Sequence, residues 1–171
     1  MKSLIILVSY HHNNTQEVAE VIAKVLEAQI KSPQQIDPEE LGQYDLVGFG
    51  SGIYAGKHHE LLLDLANKLP TAANKKAFIF STSGIPGRFA QCSGQDSYPA
   101  GSCAKFHLQL REKLQSKGYL ITAEFICPGF NTNSFLKVFG GINKGRPNAE
   151  DLRRAERFAL RMKGETFAES V

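Results

Sequence analysis

Seven residues, "SYHHNNT" at positions 9–15, separate an unbroken apolar run, "LIILV", from a helical pattern. They carry hydroxyls, amides and imidazoles, with no glycine and no fixed positive charge. In the segment that follows, Val18, Val21, Ile22, Val25 and Leu26 fall on one helical face. Asn14, with Glu17 three residues on, predicts a capping box that starts the helix there. A helix N-terminus offers free N–H groups and a partial positive charge, which suits an anion. Ser9, His11, Asn13, Asn14 and Thr15 add side-chain donors at the same place. A phosphate bound here would be held by hydrogen bonds and the helix dipole. An ordinary capped turn would show the same residue types, so the loop alone leaves both readings open.

Other phosphate loops are absent. No GxGxxG follows the first apolar run. "GSGIYAGKH" approximates a P-loop, but its spacing is one residue too long and His58 stands where a Ser or Thr should hold magnesium. His11, His12, His58 and His59 form two pairs without the carboxylate or cysteine that would complete a familiar metal set. His11 is therefore assigned to the anion, and His58 and His59 to the start of a later helix. Cys92, Cys103 and Cys127 contain no CxxC. Cys127 reads as a small buried hydrophobe. Cys92 and Cys103 flank one loop and leave a redox disulfide open.

The elements that must position these residues alternate along the chain. "LIILVS", "DLVGFGS", "KKAFIFSTS" and "YLITAEFICPG" read as strands, and "PQQI" as a short polar one. Helical patterns follow them in "KHHELLLDLANKL", "AKFHLQLREKLQSKG" and "AEDLRRAERFALRM". Strand and helix repeated this way predict an α/β fold, a doubly wound parallel sheet with helices on both faces. Three continuously apolar strands belong in the centre. The polar second strand and the fifth, with Thr122 and Glu124 on one side, belong at the edges. That gives five strands in the order 2-1-3-4-5, whose ligand crevice lies outside the carboxyl ends beside the first strand. Two long connections, 83–103 and 128–147, leave the sheet at that edge.

With 171 residues, 42% of them hydrophobic, one domain over 1–171 is expected. No run approaches a membrane span, and the first apolar run is too short for an export signal, so a soluble cytoplasmic protein is expected. The net charge of +3 is uneven, with eight Lys or Arg against three acidic residues between Lys137 and Lys163. Arg153, Arg157 and Arg161 repeat every fourth residue. A solvated helix face explains such a stripe, and so does docking to an acidic partner. The excess is too small for nucleic acid.

Taken together, the segments resemble the flavodoxin family. "SYHHNNT" opening a helix is similar to its hydroxyl-rich phosphate loop, with imidazole and amide replacing some hydroxyls. "QYDLVGFGSGIYAGK" and "KKAFIFSTSG" resemble its third and fourth strands with their loops, and "GQDSYP" its third flavin loop. The likeness extends through "GGINKGRP" to the last helix. It implies a flavodoxin-like three-layer sandwich that binds FMN. In that reading Ser9, His11, Asn13, Asn14 and Thr15 hold the ribityl phosphate. Ser51, Gly52, Ile53, Tyr54, Ala55 and Gly56 form the second loop, with Tyr54 against one flavin face. Thr82, Ser83 and Gly84 meet the pyrimidine side, and Tyr98 covers the second face. The resemblance implies electron transfer through bound flavin, with no catalytic side chain. An NAD(P)H-dependent FMN or quinone oxidoreductase, or a flavin-free binding module, would use the same fold. Flavodoxins are typically strongly acidic. This chain is slightly basic, so the redox partner protein implied here has an acidic docking surface.

Overall fold

The strands form because apolar side chains alternate between two helical layers. The computed structural model describes residues 1–85, 102–132 and 140–164, with residues 102–104 as backbone alone. Among them, β1 (Ser3–Val8), β2 (Gln29–Lys31), β3 (Leu46–Tyr54), β5 (Lys75–Ser83) and β6 (Tyr119–Pro128) pair in parallel in the order β2-β1-β3-β5-β6. This is the five-strand parallel order expected from the sequence. A two-residue strand, β4 (Lys57–His58), turns back antiparallel on the end of β3.

Leu4, Ile6, Val8, Val47, Phe49 and Ile79 point to one face. There they meet Leu62, Leu63 and Ala66 of α2 (Glu60–Lys68), and Leu110 and Leu114 of α3 (Ser102–Ser116). Ile5, Leu7, Phe78, Phe80 and Phe125 point to the other. They meet Val18 and Ile22 of α1 (Asn14–Leu26), and Ala155 and Phe158 of α4 (Ala149–Lys163). Burying a side chain of this size contributes about 1.5–3 kcal/mol, so the two layers dominate the fold's stability. Gly50 lies opposite Phe80 in the register, and a Cβ there would fall 2.1 Å from the phenyl ring. Glycine in β3 lets the aromatic side chains of β5 lie across the neighbouring strand. Among the described residues no helix is long and apolar enough to cross a membrane.

The structure corrects the sequence reading at four places. The second strand is "QIK" rather than "PQQI", because Pro33 opens a 3-10 turn. Its start is tied by Ser32 N–H donating to Gln35 Oε1 at 2.9 Å. The third strand runs on to Tyr54, and Ala55 and Gly56 have φ of 49° and 82°. Two consecutive positive φ values make the two-residue turn that joins β3 to β4. α2 accordingly begins at Glu60, capped by His59 Nδ1, which accepts from Leu61 N–H at 3.2 Å. Finally, a bulge sets Ala77 against Ile121 but Phe78 against Ala123. Thr122 is the extra residue. The slip turns Glu124 off the side it would share with Thr122 and onto the α3 face.

Candidate functional site

Four chain segments converge outside the carboxyl ends of the parallel strands around an open groove. Ser9, His11, Asn14 and Thr15 line it from the β1–α1 connection. Gly52, Ile53 and Tyr54 line it from β3, and Thr82, Ser83 and Gly84 from β5. Gly129, Phe130 and Asn131, just after β6, complete the wall. The remaining nominated residues stand elsewhere. Asn13 is exposed, as are Ala55 and Gly56 at the hairpin tip. Ser51 is fully buried behind the groove. Tyr98 lies outside the described residues, as do Cys92, most of the 83–103 connection and the Cys103 side chain.

The β1–α1 connection is built differently from the capping box the sequence suggests. His12 and Asn13 both adopt left-handed backbone, with φ of 54° and 55°, and Asn13 makes no side-chain cap. Ser9 Oγ accepts the Gln16 N–H at 3.2 Å, and the Asn13 carbonyl accepts that of Glu17 at 3.0 Å. The Thr15 N–H is not taken up by any acceptor among the described residues. The first turn of α1 therefore faces the groove with an uncapped donor and the positive end of its dipole.

Asn14 does not cap, because its amide is used across the groove. Its Nδ2 donates to the Phe130 carbonyl at 2.8 Å, and its Oδ1 accepts the Phe130 N–H at 3.2 Å. His12 adds a 2.8 Å bond to Thr132 Oγ1 and lies 4.6 Å from the Phe130 ring. Thr15 and Thr82 share a buried hydroxyl bond of 2.8 Å, tying α1 to β5. Gly84 packs directly on Asn131, and a Cβ there would sit 2.3 Å from Asn131 Nδ2. The length of the 128–147 connection marked that edge of the sheet. Gly129, Phe130 and Asn131 carry no local signal that would have singled them out.

Around the hairpin, Tyr54 is half-buried, 5.9 Å from the His11 ring and edge-on to His59 at 5.4 Å. Burial, then the neighbouring Tyr10, pushes its phenol upward, so it is neutral at physiological pH. Tyr10 is exposed and 5.2 Å from His59. Of these rings His11 and Tyr54 line the groove, so flat surface lies beside polar donors there.

Behind the hairpin runs a second polar constellation. Ser51 Oγ lies 2.8 Å from His58 Nδ1, and the His58 ring 4.9 Å from that of His107. His107 Nε2 bonds Ser81 Oγ at 2.8 Å and its Nδ1 bonds Glu124 Oε2 at 3.0 Å. Arg111 clasps Glu124 with bonds of 2.5 and 2.7 Å. Ser81, His107 and Glu124 have the connectivity of a hydrolytic triad, yet Ser81 and His107 are 0% exposed. No substrate reaches that hydroxyl, so the set is structural. Burial lowers the pKa of His107, and the bond to Glu124 restores only part. His58 is held well below 6.5 by burial and then by His107. Burial pushes the Glu124 carboxyl up, but bonds from Arg111 and His107 outweigh it and hold it at about 2. Cys127 is fully buried, and burial raises its thiol, as a packing residue requires.

Comparison with known proteins places this geometry. An uncharacterised protein of Methanocaldococcus jannaschii is 44% identical over 159 residues, which is 93% of this chain and 96% of its own. Among solved structures, a flavodoxin of Streptococcus pneumoniae superposes with a TM-score of 0.65 at 14% identity, covering 96% of this chain and 99% of that one. Oxidised Flavodoxin 2 from Bacillus cereus gives 0.64 at 18% with the same coverage. A Fusobacterium nucleatum flavodoxin bound to flavin mononucleotide gives 0.61 at 12%, covering 96% and 98%. At such identities the structures speak to the fold alone. The flavodoxin domain model matches residues 5–123, more than half of the chain, and the protein belongs to the flavodoxin family.

Proposed function

We propose that this protein binds FMN in the groove and transfers electrons through it. The observation that carries the reading is the first turn of α1, whose Thr15 N–H meets no acceptor among the described residues, opening onto a groove that Tyr54 also lines. The donor set fits a phosphate monoester, with the Thr15 N–H, the Ser9 hydroxyl and the His11 ring nearby while Asn14 and Thr15 use their side chains to tie the walls together. Gly52, Ile53 and Tyr54 on one wall, and Thr82, Ser83 and Gly84 on the other, suit the ring. A solved member of the family carries the same nucleotide. Bound flavin supplies the one- and two-electron chemistry. The chain's own work is to anchor the phosphate, sandwich the ring and limit water. The test is a visible spectrum of the purified protein after incubation with FMN and desalting. A retained flavin spectrum supports the reading, and a colourless protein that refuses FMN ends it. Rapid oxidation of NADH or NADPH by the loaded protein would assign it to the oxidoreductases instead.

The partner in this reading is a protein with an acidic face. On α4, Arg153 and Arg161 are exposed and Arg157 is partly so. Arg154 turns inward, 5.7 Å over the Phe125 ring and 3.6 Å from Asp151. The outward cationic stripe thus has three members. Steered association loses about tenfold or more in rate as salt rises. Electron transfer to an acidic carrier protein should show that loss. The R153E/R157E/R161E variant should be slow even at low salt. A rate indifferent to both would remove the stripe from docking.

A further inference from the structure

Ser51 Oγ has three polar neighbours and one proton. The His59 N–H donates to it at 3.1 Å, the Gly52 carbonyl lies at 2.8 Å, and His58 Nδ1 lies at 2.8 Å. A hydroxyl donates once and accepts twice. All three contacts are satisfied in one arrangement only. The hydroxyl proton must go to the Gly52 carbonyl, and His58 Nδ1 must carry a proton and donate to Ser51. In the other tautomer Ser51 would donate to His58, and the Gly52 carbonyl would lose its bond.

The second ring nitrogen supports the same assignment. His58 Nε2 is buried and has no hydrogen-bond partner among the described residues. A buried N–H without an acceptor costs about 1–3 kcal/mol, so the proton belongs on Nδ1. A histidine's tautomer is ordinarily fixed by what its far nitrogen touches. Here it is fixed from the near side, by Ser51.

We infer that His58 is a positioning residue for the groove, donating from Nδ1 through the Ser51 hydroxyl to hold the Gly52 carbonyl away from the ligand. Gly52 lines the groove while Ser51 and His58 stand behind it, fully buried. The Ser51 hydroxyl is the side-chain donor that reaches that carbonyl. A side chain behind the groove thus braces a carbonyl of the groove wall. A neutral ring leaves the partnerless Nε2 bare, which agrees with the depressed protonation of His58. The inference rests on the FMN reading for its functional consequence, but not for the hydrogen-bond relay itself.

Two measurements separate the two. Nitrogen-15 NMR of the histidine rings in FMN-free protein should show His58 protonated at Nδ1 and bare at Nε2. A proton on Nε2 overturns the inference, whatever the protein binds. FMN titration of variants then tests the consequence. Loss of one such bond corresponds to about a tenfold weaker dissociation constant. His58→Leu and Ser51→Ala should each show that loss. His58→Asn, whose amide replaces Nδ1, should stay within about twofold of the parent. Equal loss in His58→Asn and His58→Leu, or none in Ser51→Ala, overturns positioning through the hydroxyl. If the parent itself refuses FMN while NMR shows the Nδ1 proton, the relay stands and the FMN reading fails.

Discussion

Replacing Glu124 with leucine is expected to destabilise the protein by about 3–5 kcal/mol, because it breaks a buried charge pair by removing one partner. The Glu124 and Arg111 side chains are each 9% exposed, and the guanidinium and carboxylate meet through two bonds. Leucine would remove both of these bonds from the Arg111 guanidinium and the acceptor from His107 Nδ1. Glu124→Gln, which keeps an acceptor but not the charge, should fall between the parent and leucine. The double variant E124L/R111M should recover most of the loss, since an apolar pair of similar volume removes the desolvation cost of both ions. Urea denaturation of the four proteins provides the cycle. A Glu124→Leu unfolding free energy within about 1 kcal/mol of the parent would show that the pair adds no net stability.

That carboxylate also shows where sequence reading stops. β1, β3 and β5 were legible because their apolar runs are unbroken, and only strands buried on both faces need that. The strand order followed from their texture, and the crevice followed from the order. The face on which Glu124 lies was not legible. A period of two put it beside Thr122, and one bulged residue moved it to the opposite side. Nothing local in "YLITAEFICPG" announces a bulge. It is set by how β6 lies against β5, with Thr122 Oγ1 donating to the Ala77 carbonyl at 3.1 Å.

The site divides along the same line. Polar residue types at the start of α1 announced a loop able to hold an anion, because capping and anion binding use the same side chains. Which donors stay free depends on contacts over a hundred residues away. Asn14 was expected to cap and instead grips Phe130, 116 positions along the chain. Gly129, Phe130 and Asn131 enter the wall through that grip. Ser51 was nominated with its loop and turned inward, because alternation along β3 places it behind Gly52 and opposite Ser81 of β5.

Acidification below pH 6.5 is expected to destabilise the fold well before its carboxylates titrate. His58 and His107 are fully buried and neutral, their pKa values lowered from 6.5, by a large margin for His58. As pH falls through 6.5 the unfolded chain takes up a proton at each position and the folded chain does not. The unfolded state is favoured by about 1.4 kcal/mol per pH unit for each histidine that stays neutral in the fold. Glu124 acts in a later window and by the opposite shift. Its folded pKa, about 2, lies below the ordinary 4.5, so its contribution is complete above 4.5 and is lost as pH falls toward 2. Urea midpoints at pH 7.5, 6.5 and 5.5 should therefore be level at first and then drop. His58→Asn should remove the share of the slope that belongs to its ring, leaving that of His107. On the FMN reading proposed above, a hundredfold excess over the dissociation constant should add about 2.7 kcal/mol to the folded state and shift the whole curve. A stability flat from pH 7.5 to 5.5 would mean that both imidazoles accept protons inside the fold. A charged His58 would still donate from Nδ1 but would also bury an Nε2–H that has no acceptor among the described residues.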